Sequence, residues 1–95
     1  MIIKVLGWYC PRTEQTLMNA QAAFKQFDRR GKVEWVSDIH AMIASGVRHT
    51  PTLYVNGKLR SSCRVPSVHE ITTWIEEELM EEFVEEHQRM FNDQM

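Results

Sequence analysis

Apolar and polar residues are grouped along this chain in a way that predicts seven secondary-structure elements. Ile2-Ile3-Lys4-Val5-Leu6 is a short run apolar enough to be a central strand. From Pro11 the period changes. Leu17, Ala20, Phe24 and Phe27 recur at three- and four-residue steps with Lys25, Arg29 and Arg30 opposite, which predicts a helix that Gly31 ends. Lys32 to Ser37 reads as a second strand with Val33 and Trp35 on one face. Asp38 is placed to cap a short helix from Ile39 to Ser45, closed by Gly46. Thr52 to Val55 is a third strand, and Asn56-Gly57 a tight turn into a fourth, Lys58 to Ser62. After Pro66, Ser67-Val68-His69-Glu70 has the form of a capping box. It opens a long helix whose inward stripe is Ile71, Trp74, Ile75 and Leu79. The order is βαβαββα, an α/β arrangement with a four-stranded mixed sheet: a parallel βαβ unit, a hairpin and a covering helix. All four glycines fall at junctions, which supports the segmentation.

The last helical pattern outruns the domain it covers. It continues through Phe83, Val84, His87 and Phe91, and from Ser67 to Phe91 a continuous helix would measure about 37 Å. Two units are therefore expected, a domain over residues 1–79 and an acidic helical extension over 80–95. Charge follows the same division. Residues 1–75 carry ten Lys/Arg against five Asp/Glu, for +5, while residues 76–95 carry eight acids against Arg89, for −7. Glu77, Glu81 and Glu85, and likewise Glu78, Glu82 and Glu86, set like charges four apart, which is destabilising and needs an offset. One source is a second copy, with Met80, Phe83, Val84, Met90 and Phe91 in a homodimer contact and the glutamates against its basic end. The other reading is a solvated tail.

Composition narrows the class further. Ninety-five residues, 43% apolar and 25% charged, are ordinary for one globular domain. Met1 to Leu6 reads as a strand rather than a signal peptide, and no run approaches the roughly 20 apolar residues of a membrane span. Two cysteines do not make a disulfide scaffold, so a reducing, cytoplasmic setting is expected. No zinc-type spacing joins Cys10, Cys63, His40, His49, His69 and His87, so no metal is expected. The basic set is modest and the tail acidic, which argues against nucleic acid.

Cys10 is the residue with the clearest chemistry. It lies in Gly7-Trp8-Tyr9-Cys10-Pro11-Arg12-Thr13, where a strand hands over to a helix N-terminus. Unpaired amides and the positive end of the helix dipole favour a thiolate there, and the thiolate is the nucleophile. Arg12 adds positive charge, and Pro11 loses nothing at a first helical position. A small buried cysteine without reactivity is the plainer reading. Thr13, one turn on, can donate a hydrogen bond to the thiolate or stand there without a role.

The segments "WYCPR" after the first strand and "HTPTLYVNGKLRSSC" farther on together resemble the thioredoxin superfamily, and within it the small glutaredoxin-like proteins. The resemblance covers roughly residues 1–79. It implies a thioredoxin-like fold and thiol–disulfide exchange with Cys10 as nucleophile, acting on a protein or small-molecule disulfide. It also implies a cis Thr50–Pro51 bond facing Cys10, with Trp8, Tyr9, Pro11, Arg12, His49, Thr50 and Pro51 around a substrate groove. The chain departs from the family pattern at several positions. Thr13 stands where a second, resolving cysteine would be, so the chemistry expected is monothiol. Ser61-Ser62 replaces a Gly-Gly pair, Arg64 replaces an acidic residue that would help hold glutathione, and Gly7 stands where a lysine would be. No cofactor is therefore expected, since the glutathione pocket is poorly matched and a glutathione-bridged iron–sulfur cluster fits no better.

Cys63 is then the one internal candidate for resolving a mixed disulfide, with a bystander thiol as the plainer reading. A Cys10–Cys63 bond would close a loop of about 50 residues and stabilise by roughly 4 kcal/mol on the chain-entropy argument. His49 is a candidate ion-pair partner for the thiolate, with a solvated rim histidine as the alternative. Arg12, Arg48, Lys58, Arg60 and Arg64 are expected in loops or the hairpin at the active end, drawing an acidic peptide or anionic thiol, or simply solvated. The competing functional class is a redox-inactive thioredoxin-fold module that binds extended peptides, or an adaptor working through its acidic tail.

Overall fold

The computed structural model describes residues 1–93, with side chains through Met90. Its elements run β1 (Ile2–Leu6), α1 (Pro11–Phe24), β2 (Lys32–Val36), α2 (Ile39–Ala44), β3 (Thr52–Val55), β4 (Lys58–Ser62) and α3 (Val68–Asp93). The four strands form one sheet in the order β2-β1-β3-β4. β1 pairs parallel with β2 and antiparallel with β3, and β3 pairs antiparallel with β4. The expected α/β class, mixed sheet and long C-terminal helix are all present.

One face of the sheet meets α1 and α3. Ile3 and Val5 of β1 and Leu53 and Val55 of β3 point into that layer, against Ala20 and Ala23 of α1 and Ile71 and Ile75 of α3. All eight are fully buried. Strand alternation carries the intervening residues to the other face, where the short α2 buries Met42.

α1 departs from its predicted form in two ways. It stops at Phe24 rather than reaching Gly31, because 14 residues span about 21 Å and already cross strands of five. The chain then tightens into a turn, with Gln26 N–H donating to Ala23 O at 3.2 Å and Phe27 N–H to Phe24 O at 3.1 Å. Its inward side is also smaller and more polar than the stripe predicted. Thr13, Thr16, Ala20 and Ala23 are buried, while Leu17, Phe24 and Phe27 pack around the edge of the core. Small residues let the helix approach both the sheet and α3. Thr16 remains satisfied there by donating to Arg12 O at 2.9 Å.

Local signals at the other junctions act as predicted, apart from one-residue shifts that end β2 at Val36 and α2 at Ala44. Asp38 accepts from His40 N–H at 2.8 Å. At the far end of α2, Val47 N–H donates to Met42 O and Gly46 N–H to Ile43 O, with Gly46 at φ +75°, which is a Schellman closure. Asn56 and Gly57 take φ values of +50° and +80°, the pair a two-residue hairpin turn requires.

Four of the α3 glutamates find an offset within the same chain. Arg60 lies 2.8 Å from Glu77 and 3.5 Å from Glu78, Lys58 pairs with Glu78 and Glu81, and Arg29 with Glu82. These four need no neighbouring molecule to balance them, while Glu85 and Glu86 have no ion-pair partner among the described residues. The expected place of the basic residues is corrected as well. Lys58 follows the hairpin turn beside Val55, at the sheet end away from Leu6 and Thr52, and Arg60 faces α3. Glu78 is the buried member of this network, and its Oε1 lies 3.3 Å from Lys58 Nζ without the alignment of a hydrogen bond.

The α3 capping box is complete. Ser67 Oγ accepts from Glu70 N–H and Glu70 Oε1 accepts from Ser67 N–H, both at 3.1 Å. Arg64 binds the same carboxylate through two nitrogens, at 3.1 and 2.6 Å. The Arg64 guanidinium, and then the Ser67 amide, lower the Glu70 pKa from 4.5 to about 2. A depressed folded-state pKa stabilises the fold above the unfolded value and is lost on acidification. Stability should therefore fall as pH drops from 4.5 toward 2. In Glu70→Gln that part of the acid dependence, read by denaturant titration at stepped pH, should be absent.

Candidate active site

The register of the sheet decides which loops meet. Leu6 at the end of β1 is paired with Thr52 at the start of β3, and Thr52 with Ser62 at the end of β4. Three segments therefore emerge at one end of the sheet: Gly7–Cys10, His49–Pro51 and Cys63–Arg64. Two hydrogen bonds tie them together. Arg12 Nη2 donates to Cys63 O at 2.7 Å, and Cys63 N–H donates to Pro51 O at 3.0 Å. The Thr50–Pro51 bond is cis, and Pro51 is buried.

Cys10 is the N-cap of α1, with extended backbone at φ −153° and ψ 163°. The residue is partly buried, and its side chain makes no capping hydrogen bond. Sγ lies 3.3 Å from Oγ1 of Thr13, which is itself buried. The Thr13 hydroxyl, followed by the Thr13 amide and Arg12, lowers the Cys10 pKa below that of a free thiol, against a smaller opposing effect of burial. Thr13 is thus the residue that most favours the ionised form of Cys10.

Gly7 explains how Thr13 is held so close. A Cβ at Gly7 would sit 2.6 Å from Thr13 Oγ1 and 3.1 Å from its Cγ2, so β1 can hand over to α1 this tightly only without a side chain. Gly7 also accepts from the indole Nε1–H of Trp35, at 3.0 Å. The Trp35 ring lies 5.9 Å from that of Tyr9, and the two border a small hollow of about 190 Å³ with Thr13, Glu14 and Leu17. Trp35 is the site residue that sequence reasoning missed. It reads there as one more apolar position of β2, and only its pairing beside Val5 puts it under the Cys10 loop.

The remaining candidates divide by position. Trp8, Tyr9, Pro11 and Arg12 are exposed around Cys10, and Thr50 is half-buried beside Pro51. His49 is exposed, its carbonyl accepts from Thr52 Oγ1, and the groups acting on the Cys10 thiol are Thr13 and Arg12 instead. Cys63 is exposed and holds φ +62°, a left-handed conformation unusual for a side chain of this kind. Both cysteines are free thiols. Ser61 is buried, and Arg64 is engaged by Glu70.

The thioredoxin-domain family profile matches residues 1–76. The chain belongs to the thioredoxin domain family. A search of curated proteins and one of solved structures returned no match. In this thioredoxin-like chain no described helix is long and apolar enough to cross a membrane. Among the described residues no three His, Cys, Asp or Glu side chains gather as they would around a metal ion.

Two substitutions test the site as a physical unit. Thr13→Val keeps the shape but removes the hydroxyl, so the pH midpoint of Cys10 alkylation should move up while thermal stability changes little. Gly7→Ala should instead overpack the junction and cost about 1–3 kcal/mol in denaturant unfolding.

Proposed function

We propose that this thioredoxin-family protein is a monothiol thiol–disulfide oxidoreductase with Cys10 as its nucleophile. The observation that carries the reading is the Cys10 sulfur at the open N-terminus of α1, 3.3 Å from the Thr13 hydroxyl that favours its ionised form. The Cys10 thiolate attacks one sulfur of a disulfide R–S–S–R. A Cys10–S–S–R bond forms, the substrate bond breaks, and the departing thiolate takes a proton from water. An external thiol then attacks the R sulfur of the mixed disulfide. Cys10 returns as thiolate, the new disulfide leaves, and the electrons come from that external thiol.

Two features support this order of events. Thr13 has no sulfur, so the usual internal resolution one helical turn away is closed. Cys63 lies next to Pro51 through its backbone and next to Arg12 through its carbonyl, which supports it as an alternative resolving thiol. In that branch Cys63 attacks the Cys10 sulfur, R leaves as a thiol, and a Cys10–Cys63 disulfide remains for an external reductant. Glutathione is not assigned as the external thiol, because Arg64 occupies the position of an acidic residue and is tied to Glu70. The exposed side chains of Trp8 and Tyr9, with half-buried Thr50 beside the buried Pro51, are the surface offered to the substrate.

The deciding measurement is the pH dependence of alkylation, made on Cys63→Gly so that only Cys10 reacts. Glycine suits that position, since it adopts positive φ freely. A midpoint below the free-thiol value of about 8.5 is expected. A midpoint at or above it would leave a redox-inactive module that binds extended peptides. Intact mass after mild oxidation of the unaltered chain separates the two branches. Loss of two hydrogens, absent in Cys63→Gly, assigns resolution to Cys63, and no loss assigns it to the external thiol.

A further inference from the structure

α3 carries an unpartnered face at the opposite end of the molecule from Cys10. Glu82 is the last residue of the helix with an ion pair to the body among the described residues, and every residue from Phe83 to Met90 is exposed. On that stretch Met80, Phe83, His87 and Met90 recur at steps of three, four and three, the a/d spacing of a two-heptad seam. Met80 and Met90 are each 62% exposed and Phe83 54%. The rings of Phe83 and His87, one turn apart, lie 4.1 Å from each other and make the seam continuous.

The surface of this seam has the relief that helix packing uses. Glu76, Leu79, Met80 and Phe83 line a shallow, open hollow of about 500 Å³. Those positions are i, i+3, i+4 and i+7, the four residues that form a hole for a knob from a facing helix. A second hollow of about 230 Å³, between Met80, Glu81, Val84 and Glu85, lies on its other flank.

Charge selects the occupant. Arg29, Lys58 and Arg60 engage Glu77, Glu78, Glu81 and Glu82, and they do so from one side of the helix. Glu76, Glu85 and Glu86 have no ion-pair partner among the described residues, and Glu76 and Glu85 border the two hollows. A second copy would add the same carboxylates to the same seam. A cationic partner would neutralise them. We propose that the α3 face from Glu76 to Met90 is a docking surface for a helix of another protein, one with apolar side chains at three- and four-residue spacing flanked by Lys or Arg.

The test uses the full chain and two synthetic helical peptides sharing a leucine seam, one flanked by lysines and one by glutamates. Fluorescence anisotropy at low and high salt should show the lysine peptide binding and the glutamate peptide not. Phe83→Ser, with folding verified by circular dichroism, should weaken the lysine peptide at least tenfold. Glu85→Gln together with Glu86→Gln should weaken it less and flatten the salt dependence. Equal binding to Phe83→Ser would show adhesion by charge alone and overturn the proposal, as would no binding. Sedimentation equilibrium covers the remaining occupant, because a dimer of the unaltered chain that Phe83→Ser abolishes would assign the face to a second copy.

Discussion

β1 is hydrogen-bonded on both sides, parallel to β2 and antiparallel to β3, and its register leaves little freedom in where the loops emerge. A slip of one residue would turn Ile3 and Val5 out of the core and Lys4 into it, so burial locks the pairing. With Leu6 fixed opposite Thr52, the Cys10 loop and the Pro51 segment must share one end of the sheet, and the β3–β4 hairpin brings Cys63 to the same place. The Arg12 and Cys63 hydrogen bonds then stitch together what the strands have already aligned. The chemistry is local, but its assembly is a property of the sheet.

Much of this was legible in the residues because the signals were local. Asp38, Gly46, Asn56-Gly57 and the Ser67–Glu70 box each specify backbone geometry within a few positions, and the structure has every one of them. Cys10 at the head of α1 was readable for the same reason. What was not readable depends on tertiary neighbours. Thr13 and Thr16 are polar by composition, yet they are buried because α1 needs small residues where it crosses the sheet and α3. Trp35 looked like a core residue until its strand partner placed its indole under Gly7. Glu77, Glu78, Glu81 and Glu82 looked unbalanced because their cations lie far away in sequence, on β4 and after α1.

The two buried or half-buried polar sites show opposite uses of one physical rule. Around Cys10 the donors, Thr13 and Arg12, favour the charged form of a group that stays accessible, which prepares it for reaction. Around Glu78 the cations surround a carboxylate that is almost wholly covered, which fixes how α3 lies against the hairpin. Neither site involves the other, since they sit at different heights along β4.

The chain is 52 Å along its longest axis, the sulfur lies at the Leu6 end of the sheet, and the tip of α3 runs on past Lys58 at the other. Anything gripping that tip would leave the thiol unobstructed, and equally could not touch it directly. To deliver a disulfide from there, a guest would need a flexible arm of about 15 residues, given some 3.5 Å of reach for each. Holding and reacting are thus separable tasks in this molecule, coupled only by the length of whatever tether joins them.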